Sequence, residues 1–154
     1  YIDFKPDIIH CNDWQTGMVP VYLDMFYKFD PFYADIKTVF TIHNIQYQGK
    51  YGHDLLEDVL GLPKENSDVV DYDGCVNIMK GAIMCCDKIT TVSPTYATEI
   101  KYDYFSHGLS PIVTAVAHKT VGILNGIDQK VYSPEKDERV FANYSAKDMA
   151  GKDV

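Results

Sequence analysis

Residues 6–23 read PDIIHCNDWQTGMVPVYL, a short apolar run joined to an amphipathic segment by the three residues NDW. The apolar run at 7–11 is typical of a buried β-strand. From 14 to 27 the large apolar side chains recur at the spacing of one helical face, which predicts an α-helix that Asn12 or Asp13 would cap. A strand followed directly by a helix is the repeating unit of folds with a parallel sheet.

The same alternation continues along the chain. Apolar and β-branched runs predict further strands at 37–43, 88–92 and 120–124. Helices are predicted at 54–60, 76–86 and 94–101, the last with Ser93 as its N-cap and Pro94 at its first position. Polar or Gly- and Tyr-rich segments predict loops at 44–52, 64–74 and 102–119. The sequence therefore predicts the α/β class, a parallel sheet with helices on its faces.

Polar side chains follow each predicted strand. In such sheets ligands bind outside the carboxyl ends of the strands, so these groups should lie on one rim. The groups are Asn12-Asp13-Trp14, His43-Asn44, Ser93 and Asn125-Gly126-Ile127-Asp128. Carboxylate, imidazole and amide groups together offer the donors and acceptors that a polyhydroxylated ligand needs. Trp14, Tyr47 and Tyr51 could supply flat faces for sugar rings.

Each of these residues also has a purely structural interpretation. Asp13 could be a plain N-cap, His43 a core histidine satisfied by the backbone, and Asn125-Gly126 only a turn. His10 and Cys11 are not a catalytic pair in our interpretation, because neighbours on a strand point to opposite faces. Cys85 and Cys86 are interpreted as two core thiols rather than a vicinal disulfide.

Composition excludes several classes of protein. The chain has 154 residues, a length typical of one domain. Its net charge of −8 disfavours binding to nucleic acid through a basic surface. No apolar run is long enough to span a membrane and no secretory signal is visible, so we expect a cytoplasmic protein. No metal-ligand spacing, phosphate-binding glycine motif or nucleophile motif is present, and we expect no metal and no cofactor.

At these same residues the sequence resembles the bacterial glycogen synthase and plant starch synthase family. The matching strings are PDIIHCNDWQTGMVPVYL (6–23), TVFTIHNIQYQGKY (38–51), NIMKGAIMCCDKITTVSPTYATEI (77–100) and GILNGIDQKVYSP (122–134). The resemblance implies a GT-B glycosyltransferase with two Rossmann-like halves. It further implies glucose transfer from ADP-glucose, or UDP-glucose in some members, to the non-reducing end of an α-1,4-glucan, with retention and without a metal.

The resemblance also assigns roles to individual residues. It implies that Asp13 and His43 are the catalytic residues, with His43 bonded to the 6-hydroxyl of the donor glucose and helping to stabilise oxocarbenium-like charge. It implies that Asp13 and Trp14 lie beside the donor glucose and that Asn44 and Asn125 complete the sugar contacts. Tyr47 is a further substrate-binding candidate on the strength of its aromatic face alone. Two positions depart from the family pattern: Asn12 stands where a histidine is common, and His107 begins a segment that is often acidic in the family.

We expect residues 1–144 to be part of the N-terminal, acceptor-side domain and 145–154 to start the crossing into a C-terminal domain outside this chain. The spacing of Ser145 and Asp148 resembles a capping box, which predicts a helix start. We expect the isolated chain to be inactive, because the cations that hold the diphosphate belong to the other half in this family. Two alternatives remain open: a non-catalytic glucan-binding or regulatory domain, and a related sugar-nucleotide transferase such as a sucrose-synthesising enzyme.

Overall fold

The computed structural model describes residues 4–154. The chain forms two compact units, the first ending at Leu124 and the second running over Asn125–Val154. Residues 4–154 contain seven β-strands: β1 (Ile8–Asn12), β2 (Lys37–Ile42), β3 (Lys50–Tyr51), β4 (Asp71–Tyr72), β5 (Cys75–Asn77), β6 (Lys88–Thr91) and β7 (Thr120–Gly122). They also contain six α-helices: α1 (Met18–Tyr22), α2 (Leu55–Asp58), α3 (Ile78–Cys85), α4 (Pro94–Glu99), α5 (Asp103–Ser106) and α6 (Ser110–Ala115).

The main sheet has four parallel strands in the order β1-β2-β6-β7. Each strand lies within two residues of its predicted bounds, and helical segments connect the strands. The predicted α/β class is therefore confirmed. Because all four strands run the same way, their carboxyl ends form one rim.

The segment after β1 is helical as predicted but changes type along its length. A 3₁₀ turn, Trp14–Thr16, leads into α1, and a π-helical turn, Leu23–Tyr27, follows it. The predicted cap is wrong: the side chain of Asp13 makes no capping hydrogen bond. Instead the hydroxyl of Thr16 accepts from the N–H of Asn12 at 2.6 Å and donates to its carbonyl oxygen at 2.8 Å.

A second, antiparallel sheet of three short strands was not predicted. Its order is β3-β5-β4; β3 and β4 lie in segments predicted as loops, and β5 overlaps the start of the helix predicted at 76–86. A two-residue strand is too short to show the alternation by which strands are detected in a sequence. Since β5 ends at Asn77, α3 begins later than predicted, with the Asn77 side chain accepting from the N–H of Lys80 as N-cap.

The prediction of a loop over 102–119 is also wrong, because α5, α6 and a 3₁₀ turn, Ala117–Lys119, fill this segment. Leu109, Val113 and Val116 are buried there at helical spacing. The sequence therefore did contain an apolar pattern typical of a helix, but it stands among Tyr, Ser and Gly residues that are typical of loops. In the second unit, a short 3₁₀ turn, Ala150–Lys152, stands where a helix was predicted.

The first unit has two hydrophobic clusters that meet at α3. One joins sheet residues such as Phe40 and Ile89 to Met79 and Ile83 of α3. The other gathers residues of α1, α2 and β5 with Ile78, the first residue of α3. Helix α3 was predicted to be an interior helix from its apolar surface, and its burial confirms that prediction.

Candidate functional site

Asp13 and His43 lie side by side at the rim of the main sheet. Asn12 pairs with Thr41 across β1 and β2, so the residues that follow the two strands are neighbours. The N–H of His43 donates to Oδ1 of Asp13 at 2.8 Å, and the N–H of Asp13 donates to the carbonyl of Thr41 at 2.9 Å. The structural interpretation of Asp13 as an N-cap is therefore wrong.

The imidazole of His43 is oriented by Asn12. Nε2 of His43 lies 2.9 Å from Oδ1 of Asn12, and both side chains are exposed. An amide oxygen only accepts, so Nε2 is the donor in this contact, and Nδ1 of the neutral ring is then an acceptor. His43 is thus not a buried core histidine, which was the alternative interpretation. The sequence placed Asn12 on the rim but did not predict its contact with His43, because that contact depends on the register between β1 and β2.

The backbone of Asp13 is strained. Its φ is 52° and its ψ is −179°, next to a region of backbone conformation that is essentially restricted to glycine. Such a conformation costs on the order of 1–3 kcal/mol and is concentrated at functional sites. The fold keeps an aspartate here in spite of that cost, which is an independent reason to consider this rim a functional site.

Asn44 and Ser93, two other rim residues, have local partners. Oδ1 of Asn44 accepts from the N–H of Gln46 at 2.9 Å and so shapes the loop that follows β2. The hydroxyl of Ser93 accepts from the N–H of Tyr96 and caps α4, as predicted. Gly122 of β7 passes close to this cap, where an added Cβ would lie only 2.0 Å from the Ser93 carbonyl oxygen.

A pocket of about 520 Å³ opens beside Trp14. Its lining includes Trp14, Tyr47, Tyr51 and His107, with Gln46, Gln48, Gly49 and Lys50 completing it. The rings of Trp14 and Tyr51 have their centroids 5.9 Å apart at an interplanar angle of 60°. The structure therefore gathers the three aromatic residues singled out in the sequence. His107, from the turn between α5 and α6, was not predicted as a pocket residue.

Gly49 allows the close contact between the loop after β2 and the indole ring. Its φ is +65°, and an added Cβ would lie 2.6 Å from the ring of Trp14. The position thus requires glycine for both its backbone conformation and the space that the ring occupies. One face of Trp14 is held by this contact.

The cysteines are separate from the rim. All four, which lie within residues 4–154, are free thiols, as predicted. Burial raises the pKa of the Cys11 thiol, while Nε2 of His10 lies 2.6 Å from the Thr41 hydroxyl. His10 and Cys11 point to opposite faces of β1, so they form no nucleophile pair.

Asn125 begins the second unit, Asn125–Val154, so its predicted place beside Asp13 and His43 stays a prediction. Within that unit Oδ1 of Asp128 accepts from the N–H groups of Lys130 and Val131. These two hydrogen bonds lower the pKa of the Asp128 carboxyl.

Comparisons with known proteins match most of the chain to a single family. A family model described as the starch synthase catalytic domain matches residues 1–115. Glycogen synthase of Finegoldia magna is 49% identical over 154 residues, which is 99% of this chain and 32% of that protein. Glycogen synthase of Geobacillus stearothermophilus is 48% identical over 94% of this chain and 30% of its own length.

Comparison with a solved structure indicates the same family. The catalytic domain of starch synthase IV from Arabidopsis thaliana, bound to ADP and acarbose, superposes with a TM-score of 0.76 and 36% identity over 96% of this chain and 31% of that one. The chain spans about a third of the length of the curated relatives it matches. Across the part of the chain that the structure describes, no helix is long and apolar enough to cross a membrane.

Proposed function

Because this chain belongs to the glycogen and starch synthase family, we propose that the protein containing it transfers glucose from ADP-glucose, or from UDP-glucose, to the non-reducing end of an α-1,4-glucan. The observation that carries the proposal is the contact of Asp13 with His43 at a rim that adjoins an aromatic pocket. The starch synthase IV structure, bound to ADP and acarbose, supports a nucleotide and a saccharide as the two ligands.

In the proposed reaction, the bond between C1 of glucose and the diphosphate oxygen breaks, and the 4-hydroxyl of the glucan forms the new bond to C1 on the same face. The proton of that hydroxyl passes to the departing diphosphate. Positive charge develops on the glucosyl ring, as in glycoside hydrolysis. Asp13 accepts the His43 N–H with Oδ1, so its other oxygen and its negative charge are available to the donor sugar.

His43 would contact the donor through Nδ1. With Nε2 held by Asn12, the ring cannot turn without breaking a hydrogen bond, so Nδ1 is preorganised to accept from the 6-hydroxyl of glucose. Asn44 and Asn125 would complete the contacts to sugar hydroxyls. Trp14 and Tyr47 would pack on sugar faces in the pocket, whose volume of about 520 Å³ suits the end of a glucan chain.

We propose that residues 1–144 are part of the N-terminal domain and that 145–154 start the crossing into the second domain of a GT-B enzyme. The charges that hold the diphosphate would then come from that second domain. Preorganised charges of this kind supply much of the rate in such reactions. The 154-residue chain alone should therefore transfer no glucose.

The test is a donor and acceptor screen on the full-length protein that carries this chain. We expect elongation of maltoheptaose with ADP-glucose or UDP-glucose, detected by chromatography, and none with this chain alone. Binding of maltoheptaose without elongation would favour a glucan-binding or regulatory domain instead. Transfer to a sugar phosphate in preference to maltoheptaose would point to a sucrose-synthesising type of transferase.

A further inference from the structure

Gln48 is a buried polar residue in the lining of the pocket. Only 4% of its surface is exposed, and its amide makes three hydrogen bonds. Nε2 donates to the carbonyl oxygens of Ile45 at 3.0 Å and of His107 at 3.1 Å, while Oε1 accepts from Nδ2 of Asn77 at 2.8 Å. Both N–H groups and the oxygen are therefore used: one bond closes the loop after β2 on itself, and the other two attach that loop to His107 and to the start of α3.

Two of these segments, the loop after β2 and the turn at His107, both line the pocket. Residues 46–51 form one wall, and their loop is also anchored where the Ile45 N–H donates to the Tyr96 hydroxyl at 3.1 Å. The other wall is His107, whose left-handed backbone, with φ 49° and ψ 40°, ends α5. Nε2 of Gln48 thus donates to one backbone carbonyl in each of the two segments, that of Ile45 and that of His107.

The third segment is the start of α3, which fixes the position of the Gln48 amide. Asn77 is fully buried, donates to Gln48 and accepts from the N–H of Lys80. The backbone continues the attachment, because the N–H groups of Ile78 and Met79 donate to the carbonyls of Gly49 and Gln48. These hydrogen bonds therefore fix the positions of the two pocket walls relative to α3, an interior helix of the first unit.

We infer that Gln48 is a positioning residue that sets the distance between the two pocket walls and thereby the affinity for the acceptor glucan. The inference rests on the proposed function only for the identity of the ligand. Loss of the Nε2 donor removes the side-chain partner of the buried Ile45 carbonyl and of the half-buried His107 carbonyl, so we expect the two walls to separate as these carbonyls turn to water. The pocket between the loop 46–51 and His107 is then too wide for one sugar chain to contact both. Asp13 and His43 keep their own contact, so the donor side is not affected.

The test uses the full-length protein with Gln48→Met, which removes all three bonds, and Gln48→Glu. The second variant keeps the shape of the side chain and the oxygen that accepts from Asn77. Tyr22→Phe is the matched control, because it removes one hydrogen bond, 2.7 Å to the Leu60 carbonyl, in the other hydrophobic cluster. Hydrogen exchange measured by mass spectrometry reports on the amides of 44–51, and steady-state kinetics report on both substrates.

We expect exchange at 44–51 to accelerate about tenfold in the Gln48 variants and KM for maltoheptaose to rise about tenfold. KM for the sugar nucleotide and kcat should stay within about twofold, and Tyr22→Phe should change none of these values. Wild-type exchange at 44–51 in either Gln48 variant would overturn the inference, as would an equal rise in both KM values. Absence of transfer by the wild-type protein would instead refute the proposed function, while the exchange measurement still decides the role of Gln48.

Discussion

Asp13 and Asp73 allow the cost of the proposed catalytic aspartate to be measured against a matched control. Both aspartates have positive φ, 52° and 54°, but Asp73 lies in the turn between β4 and β5, and only Asp13 contacts His43. Glycine relieves backbone strain at either position, whereas alanine does not. Stability and activity should therefore respond differently to substitutions at Asp13.

We predict that Asp13→Gly and Asp13→Ala lower kcat of the full-length protein by about 10–150-fold, the loss of a charge-assisted bond of about 1.5–3 kcal/mol. Asp13→Gly should nevertheless be more stable to urea than Asp13→Ala by about 1–2 kcal/mol. Asp73→Gly should leave kcat unchanged. A near-wild-type kcat for Asp13→Ala would show that the carboxylate only shapes the loop.

Single residues also show how far sequence reasoning reaches. The juxtaposition of Asp13 and His43 was predictable, because parallel strands bring their carboxyl ends to one rim. The roles of Asn12, Gln48 and His107 were not, since each depends on a side-chain contact between segments far apart in sequence. No local pattern carries that information.

At the scale of elements, α3 ends at two thiols, the half-buried Cys85 and the buried Cys86. Burial raises the pKa of Cys86 to about 12 and that of Cys85 to about 11, from an ordinary value of 9.0. Lys119 supports the same terminus, since its ammonium group donates to the carbonyls of Met84 and Cys86. The unfolded chain therefore ionises these thiols at a lower pH than the folded chain does.

The consequence is a loss of stability at alkaline pH. A folded-state pKa above the unfolded value means that the stabilisation is complete below pH 9 and declines as the pH rises towards 12. We predict that Cys86 alone accounts for a fall of roughly 2–3 kcal/mol in the free energy of unfolding between about pH 8 and pH 11. Urea denaturation across this range should show that Cys86→Ala flattens the decline. An unchanged pH dependence in that variant would mean that the thiol ionises freely in the fold.

Elements differ in how well the sequence predicts them. The strands of the main sheet and α4 were predictable, because their apolar runs and the Ser93-Pro94 start are local signals. The small sheet β3-β5-β4 was not, because its strands are formed by pairing rather than by their own composition. The helices α5 and α6 were missed because Tyr, Ser and Gly outweighed a buried apolar spacing.

On the scale of the whole molecule, the charge of the chain is consistent with a neutral ligand. The net charge is −8, and the pocket is lined mainly by aromatic and amide side chains, with Lys50 and His107 as its basic residues. A glucan carries no charge, so its binding here should depend little on ionic strength, whereas binding of an anion would change as salt is added. The single tryptophan, Trp14, lies in this pocket and is a built-in reporter.

The most direct test of the sugar site is a fluorescence titration of this 154-residue chain with maltoheptaose, with cellohexaose as the control. We predict a saturable change in Trp14 emission with maltoheptaose, nearly the same at low and high salt, and little response to the β-linked control. Two results would contradict an α-glucan site beside Asp13 and His43. One is an equal response to cellohexaose; the other is no change in emission up to about 10 mM maltoheptaose, which would mean a binding free energy weaker than about −3 kcal/mol.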